Sequence, residues 1–385
     1  MTHIPARDGG VVDVAVLGGG TAGAVAALLL ARAGCSAAVL ERRAAPPDFT
    51  IGEGLPPTVH PLLDRLRLLN EVRAGPHLPA YANRSAWGGE ALRDHDFIRT
   101  PYGHGFHLDR AAFDEALLAR AARAGAAVHR GVRVTGRPRR EGGAWRFSLA
   151  DGGSVREMAA RFVIDATGRA AAFARAAGAR RERYDRLVAF WCVLPAADAG
   201  DQATLTESFA QGWWYTAGLP GGRRVVALMT DADTSAARAA RTAAGFGALL
   251  AATRHVHAAC GGAAPAEAPA ASGAGTARIA LPYGDAWLAA GDAALSFDPL
   301  SSQGILTAIY SAEKAAAAAY HVLRGSHDAL PRYAALLDSI FAGYLHDYPA
   351  AYAAERRWPD EPFWRRRASP PHPLVRRAAA ARAGA

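Results

Sequence analysis

Residues 11–41 read VVDVAVLGGGTAGAVAALLLARAGCSAAVLE. A β-branched apolar run comes first, a glycine-rich turn and an apolar helical segment ending at Gly34 follow, and a second apolar run closes the stretch. Gly18, Gly20 and Gly23 form the pattern G-x-G-x-x-G, in which the first glycine permits a tight turn. The second lets a pyrophosphate approach the backbone, and the third lets the helix pack on the strand. This order of elements predicts a dinucleotide-binding fold.

An acidic residue and a helix start strengthen that prediction. Glu41 ends the second strand at roughly the ~20-residue spacing of the carboxylate that binds an adenosine ribose. The helix that follows the turn offers free N–H groups and partial positive charge to phosphates. Glycines also make purely structural turns, but the strand–helix–strand context with the acid in place favours dinucleotide binding.

Three later segments indicate which dinucleotide is bound. Residues 105–125 form an amphipathic helix with Asp109 as its N-cap. Beyond a hairpin around Trp145, residues 161–175 form an apolar strand that runs into a turn. Residues 286–325 give a strand, an irregular loop and a long helix from about Gln303. A nicotinamide-dependent dehydrogenase does not need a third cofactor-binding segment so far along the chain from the glycine turn, whereas a flavoprotein does.

The composition describes a globular protein. The 385 residues are 51% hydrophobic and 21% charged, which excludes a disordered or collagen-like chain. No uninterrupted stretch of ~18 apolar residues predicts a membrane span, and the N-terminus lacks a secretory pattern. The three cysteines are far apart and lack metal-ligand spacing. We therefore expect a cytoplasmic location.

The charge is strongly basic. Lys+Arg total 44 and Asp+Glu total 35, for a net charge of +9, and Lys314 is the only lysine. A GC-rich codon bias explains arginine in place of lysine, while an acidic partner remains an alternative. The scattered arginines argue against nucleic acid as a partner.

The middle of the chain reads as sheet. Residues 183–231 predict three antiparallel strands with turns at Pro195 and at Gly221-Gly222. The stretch GWWYTAGLP within it, residues 212–220, is aromatic enough to line a dry pocket. Its three neighbouring rings cannot all face one side of a strand, so at least one is expected in the pocket and one in the core.

Together, the GGGTAG turn, the HLDR arginine, the DATGR strand end and the GDAA…DPLSSQG loop resemble FAD-dependent monooxygenases. The resemblance covers most of residues 11–330, and the class contains aromatic hydroxylases, tryptophan halogenases and geranylgeranyl reductases. IGEGLPP, GWWYTAGLPGG and FDPLSSQGI are most similar to LodB/GoxB/QhpG-type flavoproteins, which act in maturation of tryptophylquinone cofactors by oxygenating a tryptophan of a partner protein.

The resemblance implies an α/β fold with a Rossmann-type, glutathione-reductase-like FAD-binding domain, an inserted antiparallel-sheet substrate domain and a helical C-terminal tail. The expected FAD-binding domain comprises residues 10–80, 101–182 and 276–327. The substrate domain comprises 81–100 and 183–275. A helical segment and an arginine-rich tail occupy 328–385, and the tail is open to interpretation as a capping arm, a docking surface or a frayed end.

FAD is the implied cofactor, and the resemblance assigns it a set of residues. Glu41 would hold the ribose, Arg110 the pyrophosphate and Asp292 the ribityl chain. The alternatives are an ordinary turn acid for Asp292 and a solvent-exposed helix arginine for Arg110. The start of the long helix would face the flavin pyrimidine carbonyl, where a helix N-terminus stabilises anionic reduced flavin. The full expected set is Gly18, Gly20, Thr21, Gly23, Glu41, Arg42, Arg110, Val132, Asp165, Gly168, Asp292, Pro299, Ser302, Gln303, Gly304 and Ile305.

Catalytic candidates are few because the flavin itself carries the oxygen chemistry. Glu53 lies between two glycines in a loop whose family counterpart passes beside the isoalloxazine ring, which makes it the acid/base candidate, with a purely loop-structuring role as the alternative. Trp213 and Trp214 are candidates for the pocket wall, with core packing as the alternative. His60 is interpreted as a packed helix histidine. The pairs His104/His107 and His255/His257 lack the acids or cysteines of a metal site, so no metal is expected.

The implied activity is hydroxylation of an aromatic substrate, an indole or tryptophan that is free or part of a partner oxidase, through a flavin hydroperoxide. Molecular oxygen is the co-substrate, and electrons come from NAD(P)H or a partner flavin reductase, since no second nucleotide-binding glycine pattern appears. Alternatives are a reductase or dehydrogenase of the geranylgeranyl-reductase type, a flavin-binding maturation scaffold, and a flavin-dependent halogenase. The halogenase is disfavoured because its catalytic lysine has no counterpart. Neither nucleic acid nor a membrane is an expected partner.

Overall fold

The computed structural model of the chain describes residues 10–198 and 200–368. The end of the predicted arginine-rich tail, residues 369–385, lies outside the described residues. The strands, numbered in chain order, are β1 (Val11–Leu17), β2 (Ala37–Glu41), β3 (Gly54–Leu55), β4 (Leu78–Ala80), β5 (Ala82–Ala86), β6 (Arg93–Asp96), β7 (Gly105–His107), β8 (Ala127–Arg130), β9 (Arg133–Glu141), β10 (Ala144–Ala150), β11 (Val155–Asp165), β12 (Arg181–Arg183), β13 (Leu187–Pro195), β14 (Ala203–Phe209), β15 (Gly212–Leu219), β16 (Arg223–Asp231), β17 (Ala270–Gly273), β18 (Ala277–Ile279), β19 (Tyr283–Gly284), β20 (Trp287–Ala289) and β21 (Leu295–Ser296).

The helices connect these strands and cover the sheets. They are α1 (Thr21–Arg32), α2 (His60–Arg65), α3 (Leu69–Ala74), α4 (Arg110–Arg123), α5 (Ala172–Ala176), α6 (Ser235–Ala239), α7 (Ala243–Ala251), α8 (His255–Ala259), α9 (Gly304–Val322), α10 (Ala329–Ala353) and α11 (Pro362–Ala368).

The first sheet is the predicted dinucleotide-binding sheet. Its strand order is β19-β20-β11-β1-β2-β8, with parallel pairing from β20 through β8 and an antiparallel addition from β10 and β9. β1 is buried along most of its length because helices cover the sheet, and α1 packs against both α9 and α4. The predicted helix cap is confirmed, since the Asp109 carboxylate accepts the backbone N–H of Ala112 at 3.0 Å.

The second sheet has seven strands in the order β17-β13-β16-β15-β14-β5-β6. The prediction of three strands over residues 183–231 was wrong in number, because residues 204–220 fold back on themselves as the hairpin β14–β15. The reversal ends at Gly212, whose φ is +152° and where a Cβ would stand 2.1 Å from the Met229 carbonyl oxygen. A residue with a side chain would clash there.

The two faces of the seven-stranded sheet have different neighbours. The outer face is covered by α6, α7 and α8, and it buries Trp214 against Phe246. The inner face looks toward the first sheet and carries Ala189, Tyr215 and Met229. Side chains alternate along a strand, so Trp213 and Tyr215 share the inner face while Trp214 points outward.

The division of the chain into domains remains a proposal, and the sheet pairing supports it. β5 and β6, within residues 81–100, pair into the same sheet as β13–β17, within residues 183–275. The two separated segments therefore build one layer, inserted between the pieces of the first sheet.

The C-terminal part is helical, as predicted, and packs across both layers. α10 lies against α9, and its tyrosines at every fourth position form one row, with Tyr348 and Tyr352 rings 4.9 Å apart. α11 is fixed to the seven-stranded sheet by a buried ion pair between Arg367 and Asp231 at 2.7 Å. Within residues 10–198 and 200–368, no helix is long and apolar enough to cross a membrane.

Candidate active site

The glycine turn after β1 is shaped by two close contacts and one open side. A Cβ on Gly18, whose φ is +103°, would stand 2.4 Å from the Ala166 carbonyl oxygen. A Cβ on Gly23 would stand 1.9 Å from the Gly18 carbonyl oxygen. At Gly20 a Cβ would meet no atom within 4 Å. The outer glycines therefore make the turn and the helix contact, and the middle one leaves room for a ligand.

The predicted adenosine side lies at the ends of β2 and β8. The Glu41 carboxylate accepts the backbone N–H of Gly19 at 2.7 Å, which holds it beside the glycine turn. Arg42 is exposed next to it, and the Val132 N–H donates to the Glu41 carbonyl at 3.0 Å. The structure thus brings these three predicted residues to one edge of the sheet, outside the cavity described next.

A cavity of about 350 Å³ opens between the glycine turn, the loop at Gly52, the start of α9 and the inner face of the seven-stranded sheet. Nine residues expected at FAD line it: Gly20, Thr21, Arg110, Gly168, Asp292, Pro299, Ser302, Gly304 and Ile305. Gly18, Gly23, Asp165 and Gln303 lie beside it without lining it. The structure thus brings most of the residues expected at the cofactor to the wall of one cavity.

Arg110 is held at the cavity wall by three partners. Its guanidinium donates to the Gly52 carbonyl at 2.8 Å, to the Thr21 hydroxyl at 3.2 Å and to the Asp114 carboxylate at 3.1 Å. Its Nε atom is buried and has no hydrogen-bond partner among the described residues. The three bonds therefore hold the guanidinium of a residue that lines the cavity in one position.

Asp165 builds a turn and does not face the cavity. Its carboxylate accepts the Thr167 N–H at 2.9 Å, the Thr167 hydroxyl at 2.6 Å and the Ala174 N–H at 2.8 Å. These bonds fix the loop that brings Gly168 and Arg169 to the cavity. Asp165 therefore positions this loop and is not itself part of the cavity wall.

The late loop supplies the opposite end of the cavity. Asp292 lies 3.4 Å from the Arg169 guanidinium, and Ser302 adopts a left-handed backbone with φ of +50°. α9 begins at Gly304 without a side-chain cap on its first turn, and a Cβ on Gly304 would meet no atom within 4 Å. Free N–H groups at a helix start favour negative charge.

Comparison with known proteins agrees with this geometry. Residues 11–336 match the family model described as FAD binding domain. The chain belongs to the FAD-binding domain family. It is 31% identical over 369 residues to the FAD-dependent oxidoreductase LodB of Marinomonas mediterranea, covering 92% of this chain and 96% of that protein. It is therefore an FAD-dependent oxidoreductase, within the FAD-dependent monooxygenase superfamily.

Two solved structures share most of the fold. The flavin-dependent halogenase CmlS superposes with a TM-score of 0.82 at 28% identity, covering 93% of this chain and 67% of that one. The peptidyl tryptophan dihydroxylase QhpG superposes with a TM-score of 0.71 at 28% identity, covering 93% of this chain and 79% of that one. The same family fold thus accompanies both halogenation and hydroxylation.

The residues present fit FAD. The open side of Gly20 leaves space for a pyrophosphate, and Arg110, which lines the same cavity, supplies positive charge beside it. The uncapped start of α9 can face the electron-rich end of the isoalloxazine ring. We keep the individual FAD contacts as proposals, carried by this fit and by the family match.

The remaining wall of the flavin site carries one buried acid–phenol pair. Tyr215 lines the cavity, and its hydroxyl donates to the Glu53 carboxylate, whose second oxygen accepts the Gly52 N–H at 3.0 Å. Burial raises the pKa of the fully buried Glu53 carboxyl, although the Tyr215 hydrogen bond and the Arg110 charge oppose the shift. The candidate acid/base residue therefore does not line the cavity itself and lies behind Tyr215, which does.

The two predicted tryptophans do not line the flavin site. Trp213 is buried on the inner face, where its indole N–H donates to the Tyr352 hydroxyl at 3.0 Å. Trp214 is buried among the outer-face helices. The pocket aromatic of the stretch is Tyr215, which the sequence did not single out.

Asp298 is a second buried acid that sequence reasoning missed, although the DPL stretch that contains it was recognised. It lines the flavin cavity and accepts the Tyr352 hydroxyl at 2.7 Å and the Leu300 N–H at 2.9 Å. Burial, with repulsion from Asp185, raises the pKa of Asp298 to about 6. Arg169, which belongs to the DATGR stretch, was also missed. Its guanidinium lies 3.4 Å from the Asp292 carboxylate and donates to the Phe297 carbonyl at 2.9 Å.

The histidines lie outside the cavity wall. His60 is buried in a helix and packs edge-on to His104, as interpreted from the sequence. His107 is buried on β7 behind Tyr215, and its Nε2 lies 3.1 Å from the Thr204 hydroxyl. In the part of the chain that the structure describes, no group of three or more His, Cys, Asp or Glu side chains could hold a metal ion.

Proposed function

We propose that the chain is an FAD-dependent monooxygenase that hydroxylates an indole ring. The observation that carries the proposal is the Tyr215–Glu53 pair beside a cavity whose wall away from the glycine turn is mostly apolar, with Ser272 and Asp298 as further polar residues. Ile51, Ala189 and Met229 are among the residues of that wall. A mostly apolar site with a few polar groups holds a flat aromatic ring dry and in one orientation.

FAD, when bound and reduced, supplies the chemistry that activates molecular oxygen. The chain's own residues then bind, orient and handle protons. Arg110 and the glycine turn hold the phosphates, and the start of α9 stabilises negative charge on the reduced ring. The Tyr215 hydroxyl moves a proton between the cavity and the Glu53 carboxyl, whose pKa is raised by burial.

Hydroxylation is favoured over halogenation by the position of the only lysine. Lys314 lies on α9, pairs with Glu313 at 3.2 Å and stands 5.0 Å from the Tyr310 ring centroid. It does not line the cavity. The site therefore lacks an amine that could carry an oxidised halide to a substrate.

Among indoles, we favour the tryptophan side chain of a partner protein. The support is the 28% identity to QhpG, a peptidyl tryptophan dihydroxylase, over 93% of this chain. The match to LodB, over 92% of this chain and 96% of that protein, supports an FAD-dependent oxidoreductase. A flavin reductase or NAD(P)H would supply the electrons.

Labelled oxygen tests the proposal. FAD-loaded protein is reduced without oxygen and then mixed with ¹⁸O₂ and either tryptophan-containing peptides, a precursor protein or free indoles. We expect an 18-dalton gain (one ¹⁸O) on an indole ring, largest for the peptidyl substrate. Chlorinated or brominated products with halide present, or oxygen consumption that yields only hydrogen peroxide with every substrate, would contradict it. Bleaching of the flavin by NADH or NADPH, with and without a reductase, identifies the electron donor.

A further inference from the structure

One edge strand of the seven-stranded sheet borders the cavity. β17 pairs only with β13 and forms one edge of the sheet, while β6 forms the opposite edge. Ser272 and Gly273 of β17 line the cavity, as does the following Ala274. Among the sheet residues of that wall, Gly273 is exposed whereas Ala189 and Met229 are buried. The sheet side of the cavity therefore reaches solvent at β17.

The outer side of β17 offers backbone groups for hydrogen bonds. Just after the strand, the Ala274 N–H donates to the Leu187 carbonyl of β13 at 2.9 Å. Because the N–H and C=O groups of successive residues alternate between the two sides of a strand, those of Ala271 and Gly273 point away from β13. No hydrogen bond within residues 10–198 and 200–368 uses these outward groups. A further strand could pair with them.

The two edges of the sheet differ in charge. Both edge strands have four residues, but β6 carries Arg93, Asp94 and Asp96, whereas β17 has the sequence AASG without a charged side chain. Charged side chains on an edge strand oppose pairing with another chain. The edge that borders the cavity therefore lacks the protection that the opposite edge has.

Two aromatic rings lie beside β17 on the cavity face of the sheet. Trp191 is two residues from Ala189 on β13, so the two side chains share this face. Trp191 lies opposite Ala270, and its indole N–H donates to the Ser272 hydroxyl at 3.2 Å. The Phe49 ring centroid is 5.2 Å from that of Trp191, and both residues are half-buried. An apolar surface thus continues from the cavity along the edge.

We propose that β17 binds an extended segment of the partner protein as an additional strand and thereby brings its tryptophan to the cavity. The proposal rests on the proposed function and adds how its peptidyl substrate is held. Residues opposite each other in neighbouring strands share a face of the sheet. The residue opposite Ser272 therefore directs its side chain to the cavity face, and the residue opposite Ala270 directs its side chain toward Trp191 and Phe49. Backbone hydrogen bonds supply the affinity, and alternate side chains supply the specificity.

This geometry specifies a probe, a tryptophan with an apolar residue two positions away. We use a labelled, end-capped peptide of the order Leu-Thr-Trp-Thr-Leu, which presents an apolar residue on both sides and so fits either strand direction. It is titrated by fluorescence anisotropy into oxidised, FAD-loaded protein, where no turnover occurs. We expect it to bind at least about 10-fold more tightly than N-acetyltryptophanamide, which has the same indole without a strand. Equal affinities would overturn the proposal.

A proline on each edge gives a matched pair of variants. Ala271→Pro removes an outward N–H of β17, a change that an edge strand tolerates. Asp94→Pro does the same on β6, since the Phe97 N–H donates to the Tyr81 carbonyl and the Asp94 N–H therefore points outward. We expect Ala271→Pro to weaken peptide binding at least about 10-fold and Asp94→Pro to leave it unchanged. If sedimentation instead shows a dimer that Ala271→Pro dissociates, and the peptide does not bind, β17 pairs with a second copy and the proposal is wrong.

Methylated peptides keep the test decisive if Ala271→Pro does not fold. In an added strand only alternate amides face the sheet. N-methylation of the two threonines should therefore differ by at least about 10-fold from N-methylation of the tryptophan in its effect on affinity. Equal effects would overturn the proposal. Binding that depends on β17 without any hydroxylated product would refute the proposed function and leave the peptide site standing, whereas hydroxylation of free indoles without peptide binding would do the reverse.

Discussion

At the residue scale, the Tyr215–Glu53 pair is the proposed route for proton transfer at the cavity. Tyr215→Phe removes the hydroxyl that donates to Glu53, and Glu53→Gln removes the ionisable group. General acid–base groups contribute roughly 10²–10⁴-fold to a rate. We expect either variant to lower the single-turnover rate of hydroxylation by at least about 100-fold while FAD affinity changes little. Rapid-quench kinetics and flavin fluorescence titration measure the two quantities.

Trp214→Phe is the matched control for this pair, because Trp214 belongs to the same strand and faces the outer helices. We expect it to cost stability without a comparable loss of rate. Loss of hydroxylation in Trp214→Phe equal to that in Tyr215→Phe would mean that the strand, and not the phenol, limits the reaction.

A second residue-scale prediction concerns Asp298 and pH. Burial raises the pKa of Asp298 to about 6, above its ordinary 3.8. Between these values the folded state binds more protons than the unfolded state, so this group's contribution to the free energy of unfolding falls as pH rises from about 4 to 6. One pKa unit corresponds to about 1.4 kcal/mol, so the loss is on the order of 2–3 kcal/mol at most.

Asp298→Asn should remove that pH dependence, because the amide does not titrate. Urea unfolding of wild type and variant from pH 4.5 to 7.5 measures it. The difference in unfolding free energy, wild type minus variant, should decline across this range. A difference that rises with pH would show that the folded state prefers the carboxylate.

At the element scale, the glycine turn separates folding from cofactor binding. Gly23→Ala places a Cβ 1.9 Å from the Gly18 carbonyl oxygen, so the turn or α1 must move, and both stability and FAD affinity fall. Gly20→Ala meets nothing within 4 Å in the protein. Its methyl group would stand where a phosphate approaches, so we expect a normal apoprotein melting temperature and at least about 10-fold weaker FAD binding.

Gly343→Ala provides the control for this prediction. Gly343 lies inside α10, and a Cβ there also meets nothing within 4 Å. Because alanine is favoured over glycine by about 1 kcal/mol in a helix interior, we expect higher stability and unchanged FAD affinity. Calorimetry of the apoproteins and fluorescence titration with FAD distinguish the three variants, and weaker FAD binding in Gly343→Ala would remove the case for a phosphate at Gly20.

Local patterns explain why some elements could be predicted from sequence and others could not. The β1–turn–α1–β2 unit depends on glycine contacts within a few residues, and Asp109 caps its own helix, so both are visible in the chain. The hairpin β14–β15 depends on Gly212 fitting against Met229 of a neighbouring strand. That contact forms only when the sheet has assembled, and no residue spacing in the sequence predicts it.

The same reasoning applies to the pocket aromatic. Alternation along β15 could tell that Trp213 and Tyr215 share a face, but not which face looks toward the cavity. The choice follows from α6, α7 and α8 covering the outer face. On the inner face, the Tyr352 hydroxyl accepts a hydrogen bond from the indole N–H of Trp213. Both contacts come from residues far along the chain, so the sequence prediction selected the neighbouring tryptophans.

At the scale of the whole molecule, the last described helix ties the substrate-side sheet to the cavity. Arg367 on α11, 2% exposed, pairs with Asp231 at the end of β16 and stacks over Phe363 at 3.7 Å and Tyr352 at 5.1 Å. Tyr352 in turn donates to Asp298 at the cavity wall. The C-terminal helices therefore hold the inner face of the sheet and the late flavin loop in one arrangement.

Arg367→Met should test how much this connection stabilises the fold. It removes one partner of a buried ion pair, which commonly costs about 3–5 kcal/mol because the other charge stays buried. The cost is expected near the lower end, since Arg366 also lies 2.9 Å from Asp231. Arg366→Met is the control: its side chain is 41% exposed, and exposed pairs contribute about 0–1 kcal/mol. Urea unfolding measures the free energy of unfolding of both variants. Equal losses would mean that the surface ion pair of Arg366 contributes as much to this connection as the buried pair of Arg367.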